Sequence, residues 1–268
     1  MALDGTTLSL ADTPDNVTAF GPQASRLGEG AFPLLRLAAL VEVGTHAVLA
    51  MAFDACAVGE RTLAERLLPS LTPEMLVLED RGFVGDDWLR RVRATGAHVL
   101  CRLRSNMHFP VQRRLADGSF LSATRPPVGS EEAPLVVRVV EYTLRGVPGA
   151  APVYRLVTSL LDPAIAPATE VAALYHERWE AESTFDEFKT HLRGGAAIRL
   201  RSKTPDLVRQ EVYGLLLAHY VVRAVMYEAA CHGEADPDRL SFVHTVRVLR
   251  RSLPRTAGFP PAETPAVL

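Results

Sequence analysis

The sequence predicts an α/β fold: a mixed sheet with flanking helices and a β-rich insertion ahead of its last helical part. Three observations carry that expectation. Strand-length apolar runs alternate with segments of helical period between residues 34 and 103. Residues 106–161 then change to β-type runs separated by TRPPVGSEEAP and RGVPGAAP, both rich in turn formers. Two long helical segments follow, ahead of a Pro- and Ala-rich tail. A chain of 268 residues suits one domain of ordinary size carrying an insertion. The expected division is 1–105 and 162–253 for the two parts of the core, 106–161 for the insertion and 254–268 for a loose tail.

Taken in order, residues 34–52 (LLRLAALVEVGTHAVLAMA) are two apolar runs meeting at Gly44, the pattern of a strand hairpin in a core. Residues 60–68 place Leu63, Leu67 and Leu68 on one side of a helix that Pro69 ends. Residues 75–80 (MLVLED) read as a short buried strand broken by Arg81-Gly82. A helix over 86–94 and a strand over 98–103 complete the strand–helix–strand rhythm of an α/β layer. Within the insertion, strands are expected over 109–115, 135–144 and 153–160. A single helix of about 24 residues opens at Pro167 and Thr169 and stops at Gly194-Gly195. Another opens at Thr204-Pro205, an N-cap followed by proline, and ends near Gly233. Its stretch 213–226 is apolar on nearly every side and is expected to be buried.

Composition narrows the function. With 48% hydrophobic and 22% charged residues the chain is globular, not disordered. A balance of 29 basic against 31 acidic residues excludes a histone-like polycation. The charge is nevertheless uneven. Residues 1–80 hold four basic and eleven acidic residues, whereas 81–114 hold eight arginines against Asp86 and Asp87. Residues 189–203 and 239–255 are basic without a single acid. Such segments suit either a solvated face or an anionic polymer lying along them. Cys56, Cys101 and Cys231 are too few and too scattered for a disulfide framework or a cysteine zinc site, which fits a reducing cytosol. No apolar run is long enough to span a membrane, and no GxSxG, GxxxxGK[ST] or GxGxxG motif is present.

The informative segment is 174–192, LYHERWEAESTFDEFKTHL. On a helix, Tyr175, Arg178, Glu182, Asp186 and Lys189 fall in one band between about 300° and 20°. Beside it lies an apolar stripe of Leu174, Ala181, Phe185, Phe188 and Leu192. Glu177, Glu180 and Glu187 point away from the band and read as ordinary surface charge. The band suits i,i+4 salt bridges such as Arg178–Glu182 as well as it suits a site. Trp88 and Trp179 read as packing residues, and His98 as a hydrogen-bonded core histidine. His191 and His219 lack the second histidine of a zinc helix.

The spacing Tyr175-x2-Arg178-x3-Glu182-x6-Lys189 resembles the Y-x2-R-x3-E-x6-K signature of bacterial insertion-sequence DDE transposases of the insertion sequence four group. Two further segments stand in the family's order: LDGTT at 3–7, followed by DTP and N to FG, and DRGF at 80–83 closing an apolar strand. The resemblance runs from about residue 3 to about residue 250. It implies a ribonuclease H-like core, with Asp4, Asp80 and Glu182 as the catalytic, metal-binding triad. It further implies that Tyr175, Arg178 and Lys189 contact DNA phosphates. The implied cofactor is a pair of Mg²⁺ ions, with Mn²⁺ as a substitute. The implied partners are double-stranded DNA, as transposon ends and target, and a second copy of the chain in the DNA complex. Glu79 adjoins Asp80 but points to the other strand face and is not the expected ligand. Two alternatives stay open: a non-catalytic DNA-binding derivative, and a metal-dependent nuclease on the same fold. Because only three residues precede Asp4, its strand is expected to be shortened and the chain to be an N-terminally truncated transposase.

Overall fold

From the N-terminus the chain runs β1 (Ala2–Ser9), α1 (Pro14–Phe20), β2 (Pro22–Ser25), β3 (Gly28–Val41), β4 (Val48–Ala55), α2 (Glu60–Glu65) and β5 (Leu76–Glu79). Next come α3 (Asp86–Ala94), β6 (His98–Arg102), β7 (Arg113–Arg114), β8 (Phe120–Ala123), β9 (Val136–Tyr142) and β10 (Tyr154–Thr158). The helical part holds α4 (Ala168–His176), α5 (Trp179–Asp186), α6 (Pro205–His232) and α7 (Phe242–Thr256). This computed structural model describes residues 1–25, 28–126, 129–144, 146–195 and 198–256, so most of the expected tail lies outside the described residues.

Among the described residues ten strands form one mixed sheet, ordered β2-β3-β1-β5-β6-β10-β9-β8-β7, with β4 added on β3. Its parallel portion sets β1 beside β5 and β5 beside β6. Side-chain alternation divides the core between the two faces. Leu3, Ala38, Leu63 and Trp88 pack on the side covered by α2 and α3. Ala2, Leu37, Tyr175, Phe185 and Val212 pack on the side covered by α4, α5 and α6.

The first strand, Ala2–Ser9, is eight residues long. Asp4-Gly5 continues extended instead of turning, and β1 keeps a register with β3 over all eight residues, Ala2↔Val41 to Ser9↔Leu34. The hairpin expected around Gly44 forms between β3 and β4, its turn held by Glu42, which accepts from the Gly44 and Thr45 amides. In the insertion segment the run 109–115 supplies only the two-residue β7, and the additional strand β8, FLSA, holds too few alternating positions to mark itself in the sequence. Its strands extend the core sheet through the β10–β6 ladder. Arg138, fully buried, pairs with Asp117 and donates to Ala166 O at 2.6 Å, while Asp117 accepts from the Ala168 amide at 2.9 Å. This ion pair ties the insertion to the start of α4.

Two helical expectations need correction. The segment 167–194 is not one regular helix: amides 177, 178, 180 and 181 each bond three residues back, which tightens the chain between α4 and α5. After α5 the last part, Glu187–Leu192, is a π-helical turn. The stretch 213–226 of α6 is buried on one side only, through Val222, Met226 and their neighbours, while Tyr213, Leu217, Tyr220 and Val221 are exposed. A single face of a long helix rests on the sheet and α7, so the opposite face stays in solvent whatever its composition.

Candidate active site

Asp4 is the third residue of β1, and its side chain, by strand alternation, faces the layer that holds α5. Asp80 follows the last residue of β5, where the chain leaves the sheet. Its Oδ1 accepts from the Gly82 amide at 2.6 Å, and a Cβ on Gly82 would stand only 2.8 Å from that oxygen. Arg-Gly after the strand therefore permits a turn that curls back on the carboxylate. Glu182 projects from α5. Asp4, Gly5, Thr6, Glu182, Phe185, Asp186 and Lys189 line one groove of about 390 Å³.

Arg178 stands between two of the carboxylates, 3.0 Å from Asp4 Oδ2 and 3.0 Å from Glu182 Oε1. Burial pushes the Asp4 carboxyl up, and the Glu182 and Asp80 charges add to it, against the Gly5 amide and Arg178. Burial and Arg193 hold the Lys189 ammonium below its ordinary value. The groove thus gathers carboxylates that repel one another and a lysine that gains by meeting an anion. Tyr175 departs from the band. The tightened turn before α5 rotates it into the core, where its hydroxyl donates to Glu79 O at 3.2 Å and burial pushes its pKa up.

The donors are all carboxylate oxygens, the chemistry a hard divalent ion requires. As the side chains lie, among the described residues no three His, Cys, Asp or Glu groups close on a metal position. The Arg178 guanidinium instead provides the positive charge between Asp4 and Glu182.

Over residues 1–221 the chain matches the family described as "Transposase DDE domain". It belongs to the DDE transposases. It is 30% identical over 272 residues to "Transposase InsG for insertion sequence element IS4" of Escherichia coli (strain K12), a match covering all of this chain and 61% of that protein. The chain therefore spans about three fifths of the curated relative's length. Its fold is similar to that of the piggyBac transposase in a synaptic complex with hairpin DNA, with a TM-score of 0.57 at 12% identity, over 97% of this chain and 54% of that one. This likeness supports the ribonuclease H-like fold expected from the motif. No helix among the described residues is long and apolar enough to cross a membrane.

Other residues of this DDE transposase fall differently from the sequence reading. Trp88 is buried as expected, but Trp179 is 58% exposed, with the Arg178 guanidinium 5.7 Å from its ring centre. His98 is hydrogen-bonded, to Ser159 Oγ at 3.1 Å and Arg93 at 3.3 Å. Glu187, read as surface charge, is buried. It pairs with Arg223 and, at 2.8 Å, with His219, both on α6. His46, from the β3–β4 turn, lies 2.7 Å from Glu180 and reaches the same Arg223. The helical angle placed Glu187 away from the groove correctly; nothing in the local period revealed that α6 covers that side.

Burial opposes ionisation of Glu187, but His219, His46 and Arg223 outweigh it and hold the carboxyl at about 2. Its folded pKa lies below the unfolded value, so its contribution is present above about pH 4.5 and is lost as pH falls through about 2. Glu187→Gln is expected to cost roughly 3 kcal/mol at pH 7, with the deficit shrinking below pH 4. Urea unfolding of parent and variant across that range checks it; an equal deficit at pH 7 and pH 2.5 would assign the loss to packing instead.

Proposed function

We propose that this chain is the catalytic part of an insertion-sequence transposase, which cleaves DNA strands at transposon ends and transfers the freed 3′ hydroxyl into target DNA. The observation that carries the reading is the groove itself: residues from opposite ends of the chain, Asp4 with Glu182 and Lys189, line one surface, and the Asp80 charge acts on Asp4.

Displacement at phosphorus needs the attacking and leaving oxygens held in line and their developing charge balanced. Asp4, Asp80 and Glu182 would hold two Mg²⁺ ions, or Mn²⁺ in their place, which supply that balance when bound. Lys189 contributes a point charge to a phosphate lying in the groove, and desolvation strengthens the attraction. Arg178 pairs with two of the triad carboxylates, Asp4 and Glu182, and were cations to hold these, its fork would be free to meet a phosphate. Tyr175 serves indirectly, by anchoring the end of β5 and with it Asp80. Residues 1–105 and 162–253 form the catalytic core on this reading, and 106–161 its insertion. The partners are double-stranded DNA, both transposon ends and target, and a second copy of the chain in the DNA complex.

Incubation with paired transposon ends in Mg²⁺, Mn²⁺ or a chelator tests the proposal. End-specific cleavage that either ion supports and the chelator abolishes is the expected result. DNA binding without cleavage would favour a non-catalytic DNA-binding derivative, and equal cleavage of unrelated DNA a nuclease on the same fold.

A further inference from the structure

We propose that Glu60 is a fourth carboxylate of the metal centre, reaching it from the face of the sheet opposite Glu182. This rests on the metal-dependent reading above and assigns one more of the chain's residues to it. Glu60 is the first residue of α2, on the side of the sheet toward which Gly5 would point a side chain. A Cβ built on Gly5 would lie 2.3 Å from Glu60 Oε1 and 2.8 Å from its carboxyl carbon. The carboxylate therefore rests against the backbone next to Asp4, in space that a side chain at position 5 would take only by displacing Glu60. Gly5 has extended backbone in the middle of a ladder, where glycine weakens a strand and no positive φ calls for it. Room for Glu60 is the physical reason for a glycine there.

The sheet opens at this point. β1 and β5 pair only at Ala2↔Leu78 and Leu3↔Glu79; beyond that β5 ends, Asp80 turns away, and β1 continues to Ser9. Charges from both layers act at this point, Glu182 of α5 on Asp4 and Asp4 with Asp80 on Glu60 of α2. Among the described residues no hydrogen bond or ion pair engages the Glu60 carboxylate. The cation that acts on it, Arg36, has its guanidinium on Val58 O at 3.1 Å and Cys56 Sγ at 3.5 Å. Burial pushes the Glu60 carboxyl up, and the Asp4 and Asp80 charges push it further. A half-buried carboxylate beside two others, without a cation of its own, is stabilised by a divalent ion shared with them.

Mn²⁺ binding to the DNA-free full chain, followed by loss of the free-ion paramagnetic resonance signal, tests the inference alongside melting with and without Mn²⁺. Glu60→Gln should weaken Mn²⁺ binding roughly 10- to 100-fold, raise the metal-free melting temperature by relieving repulsion, and shrink the Mn²⁺-induced shift. Gly5→Ala, whose methyl group must displace the Glu60 carboxylate, should reproduce the weaker binding. Asp80→Asn serves as the control for the metal centre. If Asp80→Asn loses Mn²⁺ while Glu60→Gln binds like the parent, the Glu60 assignment fails and the metal reading stands. A lower metal-free melting temperature for Glu60→Gln, with unchanged Mn²⁺ affinity, would make Glu60 a structural partner of Arg36. If the parent takes up no Mn²⁺, both readings fall together.

Discussion

Asp80→Asn and Glu182→Gln are each expected to lower metal-dependent strand cleavage on the order of 10³-fold or more, while DNA affinity holds or rises slightly. Both changes keep side-chain size and one carbonyl oxygen. Asn at 80 can still accept from the Gly82 amide, and Gln at 182 can still accept from Arg178, so the fold is expected to persist. What each removes is one negative charge at a place where a divalent cation must be held against its hydration. The same loss reduces repulsion toward phosphate, which is why affinity moves the other way. Glu177→Gln, an equal change at an exposed residue of the same segment, is the control and should cleave normally. Single-turnover cleavage and filter binding of each variant separate the two effects. Full cleavage by either triad variant, beside an active parent, would remove that residue from the metal centre.

Stability should fall as pH rises from about 5 to about 8, and Glu79→Gln should abolish that fall. Glu79 is completely buried; its Oε1 accepts from Trp88 Nε1 at 2.8 Å, and its Oε2 has no hydrogen-bond partner among the described residues. Burial pushes its carboxyl up to about 8, the nearby Asp80 charge adding to this against Trp88 and Arg61. The unfolded chain releases this proton near pH 4.5, whereas the folded protein keeps it until about 8. Across that interval the unfolded state binds fewer protons, so stability declines with pH and levels off once the folded group also ionises. The full difference is on the order of 5 kcal/mol. Urea unfolding of parent and variant at pH 5 and pH 9 checks it: equal stability at pH 5, and a clear advantage for Glu79→Gln at pH 9. An equal difference at both pH values would mean that Glu79 is ionised throughout. Since Tyr175 donates to the Glu79 carbonyl and Asp80 follows directly, ionisation of Glu79 at high pH should also disturb the site.

Sequence alone determined whatever depends on short-range period. The 3.6-residue repeat put Arg178, Glu182, Asp186 and Lys189 on one side of a helix, and the last three line one groove. Alternation in a strand separated Glu79 from Asp80, which face the core and the chain's exit from the sheet respectively. Turn chemistry marked the β3–β4 hairpin and the Thr204 N-cap, whose hydroxyl accepts from the Leu207 amide. Tertiary structure decided the rest, because it joins residues that no local window contains. Arg178 meets Asp4 across 174 residues, and His219 meets Glu187 across 32. Whether a charge such as Glu187 lies in solvent or under α6 depends on which helix covers it, and helical angle carries no information about the neighbour. Asp4-Gly5 shows the same limit. Asp-Gly is a dipeptide common in turns, but eight ladder pairings with β3 hold it extended in the centre of the sheet. The free energy of those long-range contacts exceeds a local preference worth at most about 1 kcal/mol, which is why the strand forms and the turn does not.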